Sequence, residues 1–287
     1  MKLYIIGNGF DLYHYLPSSY KDFHDFVKER DHDLFEIIEK YFDNDGTFWY
    51  AFEMKLRELD EFMLIRDVLR SLGHGGWDAV DIESYEPTIQ YYTIHTYYQL
   101  KKYMVDWVRS LNQLPLRRKY PDIEADSLFI SFNYTNTLER HYRIHPSRIN
   151  YIHGDGQEDN CDLIFGHDMH DEDLYSEFDE NQEGQGRLIV QSFLKQSQKP
   201  VERILEDNQD FWNKLSSIRE VIVIGHSLSA VDAPYFNMID VYVSKGCLWK
   251  VSYYDEADAE NHVKALVQCG INSRLIQSFD ILPDRPK

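Results

Sequence analysis

The chain is poor in cysteine, in positive charge and in long apolar runs, and each shortage excludes something. Three cysteines, Cys161, Cys247 and Cys269, occur in 287 residues. An odd, widely spaced set builds neither a disulfide framework nor a zinc ribbon, and it fits a reducing compartment. Against 49 Asp and Glu stand only 30 Lys and Arg, a formal charge of −19. A field of that sign repels phosphate, so broad nucleic-acid binding and binding to anionic membranes are not expected, although a local basic pocket is compatible with it. No apolar run approaches the roughly 20 residues that cross a bilayer. Lys2 and four apolar residues precede Gly7, too few for a secretory h-region, so a cytoplasmic protein is expected. What is plentiful is aromatic: 21 Tyr and 16 Phe argue for a packed chain and against a disordered one.

Five short apolar runs stop at Gly, Asn or His. They are Leu3–Ile6 before Gly7-Asn8-Gly9-Phe10-Asp11, Leu128–Phe132 before Asn133, Ile149–Ile152 before His153-Gly154, Leu163–Phe165 before Gly166-His167, and Val221–Ile224 before Gly225-His226-Ser227. Runs this short and this rich in Ile, Val, Phe and Tyr read as buried strands. Lying parallel, they would gather Gly9, Asn133, His153, His167 and Ser227 around one cleft at their C-terminal edge, where open α/β sheets bind ligands. Further strands are expected near 248–253 and 275–279.

Between Tyr20 and Leu111 the periodicity is helical. Phe52, Leu56, Leu59 and Met63 predict one helix, and Tyr97, Leu100, Met104, Trp107 and Leu111 another, with a loop at Gly73–Trp77 between them. Helices are also read around 201–215 and 263–267. Asp168–Gly186, with its many carboxylates, reads as a solvated loop. The fold expected is α/β, a Rossmann-like, mostly parallel sheet forming one domain over 1–287, with a large α-helical insertion over 20–120 after the first strand.

Each motif has a plain reading beside a chemical one. Gly7-Asn8-Gly9 allows a backbone to approach a diphosphate, or is a glycine turn with Asp11 as helix cap. Asn133 can hold a water or sugar hydroxyl, or form a turn. His153, flanked by glycines, suits general acid–base work. Gly166-His167-Asp168-Met169-His170-Asp171 could offer metal ligands, but matches no firm metal spacing, and a solvated loop is the simpler account. Gly225-His226-Ser227-Leu228-Ser229 resembles a hydrolase nucleophile elbow, yet ends in Ser229 where that motif has glycine. Its triad would need Asp255 or Asp258 with His262. The alternative is a phosphate- or ribose-binding turn at Gly225 and Ser227, with Asp232 nearby.

In order along the chain, Ile5–Asp11, Leu16-Pro17-Ser18-Ser19-Tyr20, Ser131–Glu139, Tyr151–Gly154, Ile164–His167 and Ile224–Ser229 resemble the bacteriophage abortive-infection AbiH-type proteins. The set is similar, more distantly, to sirtuin-like domains of bacterial defence systems, whose Asn and His cleave the nicotinamide–ribose bond of NAD. That resemblance implies catalytic roles for Asn133 and His153; an oxocarbenium-like transition state would be stabilised by a carboxylate near the sugar, and Asp11 is the candidate. The resemblance implies nucleotide binding by Gly7, Asn8, Gly9, Phe10, Gly166, His167, Gly225 and Ser227. It departs from the sirtuin-like pattern at Asn8 (Ala), Asp11 (Ser) and Thr135 (Asp), and it lacks the four-cysteine zinc module of protein deacylases. The implied protein is an antiphage NAD hydrolase that takes NAD as substrate and requires no cofactor or metal. A phage protein could be its trigger, and a homo-oligomer is compatible with the sequence. A non-catalytic sensor of nucleotide or phage protein is the alternative, as is a metal-dependent nuclease acting through residues 166–173.

Overall fold

The computed structural model describes residues 1–73, 82–121, 123–156, 163–169 and 181–282. Among them the chain forms two compact units. One comprises Met1–Ser19, Val108–Leu163 and Pro200–Lys287, and the other Tyr20–Trp107 and Ile164–Lys199.

The first unit is built on a six-stranded sheet of β1 (Lys2–Ile6), β2 (Leu128–Ser131), β3 (Ile149–Tyr151), β4 (Glu220–Ile224), β5 (Leu248–Tyr253) and β6 (Ile276–Asp280). Their order is β3-β2-β1-β4-β5-β6, and every pair is parallel. This is the doubly wound order, which reverses direction between β1 and β4. β2 is buried along its whole length and β1 from Leu3 onward, as expected of strands covered on both faces. Tyr4, Ile6, Phe129 and Ile224 pack on one side with Phe10 and Tyr13 of α1 (Asn8–Tyr13) and with Leu138 and Tyr142 of α8 (Thr137–Tyr142). After β4, α12 (Ala233–Tyr242) and α13 (Glu256–Gln268) alternate with strands. The pair expected around 201–215 is α10 (Val201–Asp207) and α11 (Gln209–Asn213).

The run Leu163–Phe165 is not a strand. Phe165 is an aromatic core residue of the second unit, its ring 5.2 Å from Phe52 and 5.5 Å from Tyr97. A three-residue apolar run has too little periodicity to distinguish a strand from an extended core segment.

Helices and turns fill the described residues between β1 and β2, as the expected insertion requires. α2 (Tyr20–Arg30), α3 (His32–Tyr41), α4 (Phe52–Lys55), α5 (Glu61–Leu72), α6 (Ile82–Gln90) and α7 (Thr96–Leu111) follow in order, with a π turn at Tyr91–His95. The helix expected over 52–63 is interrupted: Asp60 caps α5 by accepting the Met63 amide (2.8 Å), and a local cap can outweigh apolar periodicity. The expected acidic loop is shorter at its C-terminal end. Asn181 caps α9 (Gln182–Gln196) by accepting the Gly184 amide (2.8 Å), and Gly186 is buried where a Cβ would come 2.5 Å from the Tyr85 hydroxyl. Residues 74–77 of the expected glycine loop, and 170–180 of the acidic one, lie outside the described residues, as does Cys161. No helix among the described residues is long and apolar enough to cross a membrane.

Candidate functional site

Register assembles the edge. Ile6 pairs with Ser131 and Ile224, and Ser131 with Tyr151. Two residues further along these four strands come Asn8, Asn133, His153 and His226. Polar and titratable groups distant in sequence therefore meet at one level, beside the point where strand order reverses, the usual ligand position in such sheets.

The three glycines at this edge share one task. Gly7 donates to the Ile224 carbonyl (3.0 Å) and Gly9 to the Gly225 carbonyl (2.7 Å). A Cβ on Gly7 would come 2.5 Å from His226 Cα, one on Gly9 would come 2.7 Å from Gly225 Cα, and one on Gly225 would strike the Phe10 amide. Gly225 also has φ +65°, a region that costs other residues roughly 1–2 kcal/mol. The turn after β1 and the turn after β4 thus pack backbone to backbone. The Gly9 amide, a donor that a diphosphate could use, is engaged by Gly225. Phe10 is fully buried in the core. Asn8 is exposed at its backbone position, and its side chain exchanges hydrogen bonds with Ser18: Nδ2 to the carbonyl (2.8 Å), and Ser18 Oγ to Oδ1 (2.7 Å).

Asp11 is not a helix cap. It lies in α1 beyond the N-cap Gly7, 1% exposed. Its carboxylate accepts from Thr135 Oγ1 (2.5 Å) and Thr137 Oγ1 (2.6 Å). Burial pushes its pKa from 3.8 to about 6, against the opposing pull of Thr135, Thr137 and Asn133. Asn133 Nδ2 donates to the Gly7 carbonyl (3.0 Å), tying the ends of β1 and β2 together. This use of the amide nitrogen leaves the side-chain oxygen as the acceptor Asn133 can offer a ligand.

His153 and His226 flank Phe132. His226 stacks edge-on at 4.3 Å and His153 at 5.2 Å between ring centres, and Tyr235 stands 5.7 Å from His153. Both histidines are buried. His226 Nδ1 accepts the Leu228 amide (2.9 Å), so its ring proton sits on Nε2, which faces Asp232 Oδ2 at 3.6 Å. Ser229 Oγ donates to the same carboxylate oxygen (2.9 Å). Leu228 takes φ +55°. His226 thus holds a left-handed turn that exposes Ser227. No hydrolase triad forms from the proposed partners. His262 Nδ1 donates to the Ser252 carbonyl (3.0 Å), and Asp255 caps α13 by accepting the Ala257 amide (3.1 Å).

Gly166 and His167 belong to the second unit, so strand register does not carry them to this edge. A Cβ on Gly166 would strike the Ser197 carbonyl. His167 Nδ1 accepts the Met169 amide (3.1 Å), so Nε2 carries the proton and faces Ser197 Oγ at 3.2 Å. Burial lowers its pKa to about 4. Asp168 pairs with Arg57 (2.7 Å). Among the described residues no group of three or more His, Cys, Asp or Glu is arranged to hold a metal ion, and His170 and Asp171 lie outside them.

Sequence reasoning missed Thr137, the use of Thr135 as an Asp11 partner, and the His226–Asp232 pair. The signal for the Thr135 pairing was the substitution pattern, a carboxylate at 11 with a hydroxyl at 135. His226 gave only its place after a strand.

No curated protein and no solved structure matches the chain. A family model described as bacteriophage abortive infection AbiH matches residues 3–253, which span both units and include every residue of the strand-end cluster. The chain therefore belongs to the bacteriophage abortive infection AbiH family.

Proposed function

We propose that the protein serves abortive infection by hydrolysing NAD at the nicotinamide–ribose bond. The observation that supports this most is the convergence of Asn133, His153 and a buried carboxylate, Asp11, at the strand-order reversal of a parallel sheet. The sirtuin-like pattern has a hydroxyl at position 11 and a carboxylate at 135. Here the carboxylate is at 11 and the hydroxyl at 135, and the two are hydrogen-bonded at 2.5 Å. Both departures from the pattern therefore fall on one contacting pair.

In this reading the C1′–N bond breaks with its electron pair going to the pyridinium nitrogen, so nicotinamide leaves neutral. Water attacks C1′ and passes a proton to His153, giving ADP-ribose. Asn133 Oδ1 accepts from the water or a ribose hydroxyl. The oxocarbenium-like transition state is favoured by negative charge nearby, which ionised Asp11 supplies above pH 6. Gly7, Asn8, Gly9, Phe10, Gly225 and Ser227 form the nucleotide-facing edge, directly or through packing.

The test is purified protein with NAD, products separated by chromatography, for wild type, Asn133→Ala and His153→Ala. Nicotinamide release by wild type, falling at least about a hundredfold in His153→Ala, is expected. Equal turnover in that variant would remove His153 from the mechanism. Nucleotide binding without product, surviving Asn133→Ala, would favour a sensor.

A further inference from the structure

A cationic face stands against the overall charge of −19. Residues 114–120 and 140–143 hold Arg117, Arg118, Lys119, Arg140 and Arg143 and no carboxylate; the adjoining Glu139 accepts from the Tyr151 hydroxyl (3.3 Å). The fold joins the two segments. Arg140 Nη2 donates to the Leu114 carbonyl (2.9 Å), and the Tyr120 amide donates to the Tyr142 hydroxyl (2.6 Å). That hydroxyl donates to His14 Nε2 (2.6 Å), whose Nδ1 proton goes to the Phe10 carbonyl (2.6 Å). Burial lowers the pKa of His14 to about 4, so this internal bolt stays neutral.

The Arg118 guanidinium lies 4.2 Å from the Tyr13 ring centre, and Lys119 Nζ lies 5.6 Å from that of Tyr142. Arg117, Lys119, Arg140 and Arg143 are exposed. Two non-glycine residues adopt left-handed backbone conformations, Arg143 at φ 57° at the end of α8 and Tyr15 at φ 61°, next in sequence to His14. Tyr15 follows α1 and is 64% exposed. Salt screens exposed charges beyond about 8–10 Å, so distant carboxylates do not cancel the attraction of a compact basic face.

We propose that this face binds single-stranded nucleic acid, with Arg117, Lys119, Arg140 and Arg143 on successive phosphates and Tyr15 stacking on a base. Phosphate contacts supply affinity, and an exposed ring supplies a sequence-tolerant platform. A stacking ring requires an unpaired base, which selects a single strand over a duplex. The proposal does not depend on NAD hydrolysis, since none of these residues belongs to the Asn133–His153 set.

Fluorescence anisotropy of the full chain with a labelled pyrimidine oligonucleotide of roughly 20 nucleotides tests it, with the duplex and phosphatidylserine vesicles as competitors. Binding with a log–log salt slope of about −2 to −3 is expected for three to four contacts. R117E/K119E/R143E should weaken it at least tenfold and flatten the slope. R117Q/K119Q/R143Q gives the same direction if charge reversal harms folding, which thermal melting reports. Tyr15→Ser should weaken binding about tenfold while leaving the slope unchanged, and Asn133→Ala should leave binding intact. Absence of binding at low salt, equal binding by folded charge variants, or preference for the duplex or the vesicles would overturn the proposal.

Discussion

A carboxylate as buried as Asp11, held by hydroxyls and an amide and not by a cation, costs stability whenever it is charged. Its pKa rises from 3.8 to about 6 on folding, equivalent to about 3 kcal/mol. The folded state therefore binds this proton more tightly than the unfolded chain. The resulting stabilisation is complete below pH 3.8, declines as pH rises, and is gone above about 6. Asp11→Asn should remove that decline and leave the protein up to about 3 kcal/mol more stable than wild type at pH 7.5, measured by urea unfolding across pH. Parallel pH curves for the two proteins would refute the assignment. Thr137→Val removes a hydrogen bond to the charged form and should cost about 1.5–3 kcal/mol at pH 7.5 but less at pH 4.5. A residue that destabilises the fold at neutral pH yet sits among functional candidates is the pattern of a site retained for activity.

Among the elements, the turn after β4 is the most constrained. Gly225→Ala meets both an unfavourable φ and the Phe10 amide, and should cost at least about 3 kcal/mol. Gly46→Ala has a similar φ of +76° but nothing within 4 Å, so about 1–2 kcal/mol is expected. Equal losses on denaturation would mean that the packing of the β1 turn on the β4 turn contributes nothing. His226→Phe keeps the ring but leaves the Leu228 amide without its acceptor, at a cost of about 1–3 kcal/mol. Elements with strong local signals were legible: the strands before Gly7, Asn133, His153 and Gly225 are present, because β-branched and aromatic runs ending in turn residues have few alternatives. The helix over 52–63 and the strand at 163–165 were misread, because a single cap and a tertiary core override short patterns.

At the scale of the whole molecule, the −19 charge describes a sum and not a surface, and the basic face shows why the distinction matters. Cys247 and Cys269 are buried and free, and burial pushes the Cys247 thiol up to about 11. Neither should react with iodoacetamide at pH 7.5 until the fold opens, as peptide mass spectrometry would show. The order of apolar runs and glycines in the sequence determined an α/β protein with a parallel sheet, since buried strands and their turns depend on neighbours in the chain. It also indicated Asn133, His153 and Gly225 as strand-end residues. Only the tertiary structure decided that the three glycines pack against one another, that Asp11 faces two threonines, and that Gly166 and His167 belong to the second unit. The first two facts depend on strand order and register, set by contacts between residues more than a hundred positions apart, and the third on packing against Ser197, none of which local pattern can encode.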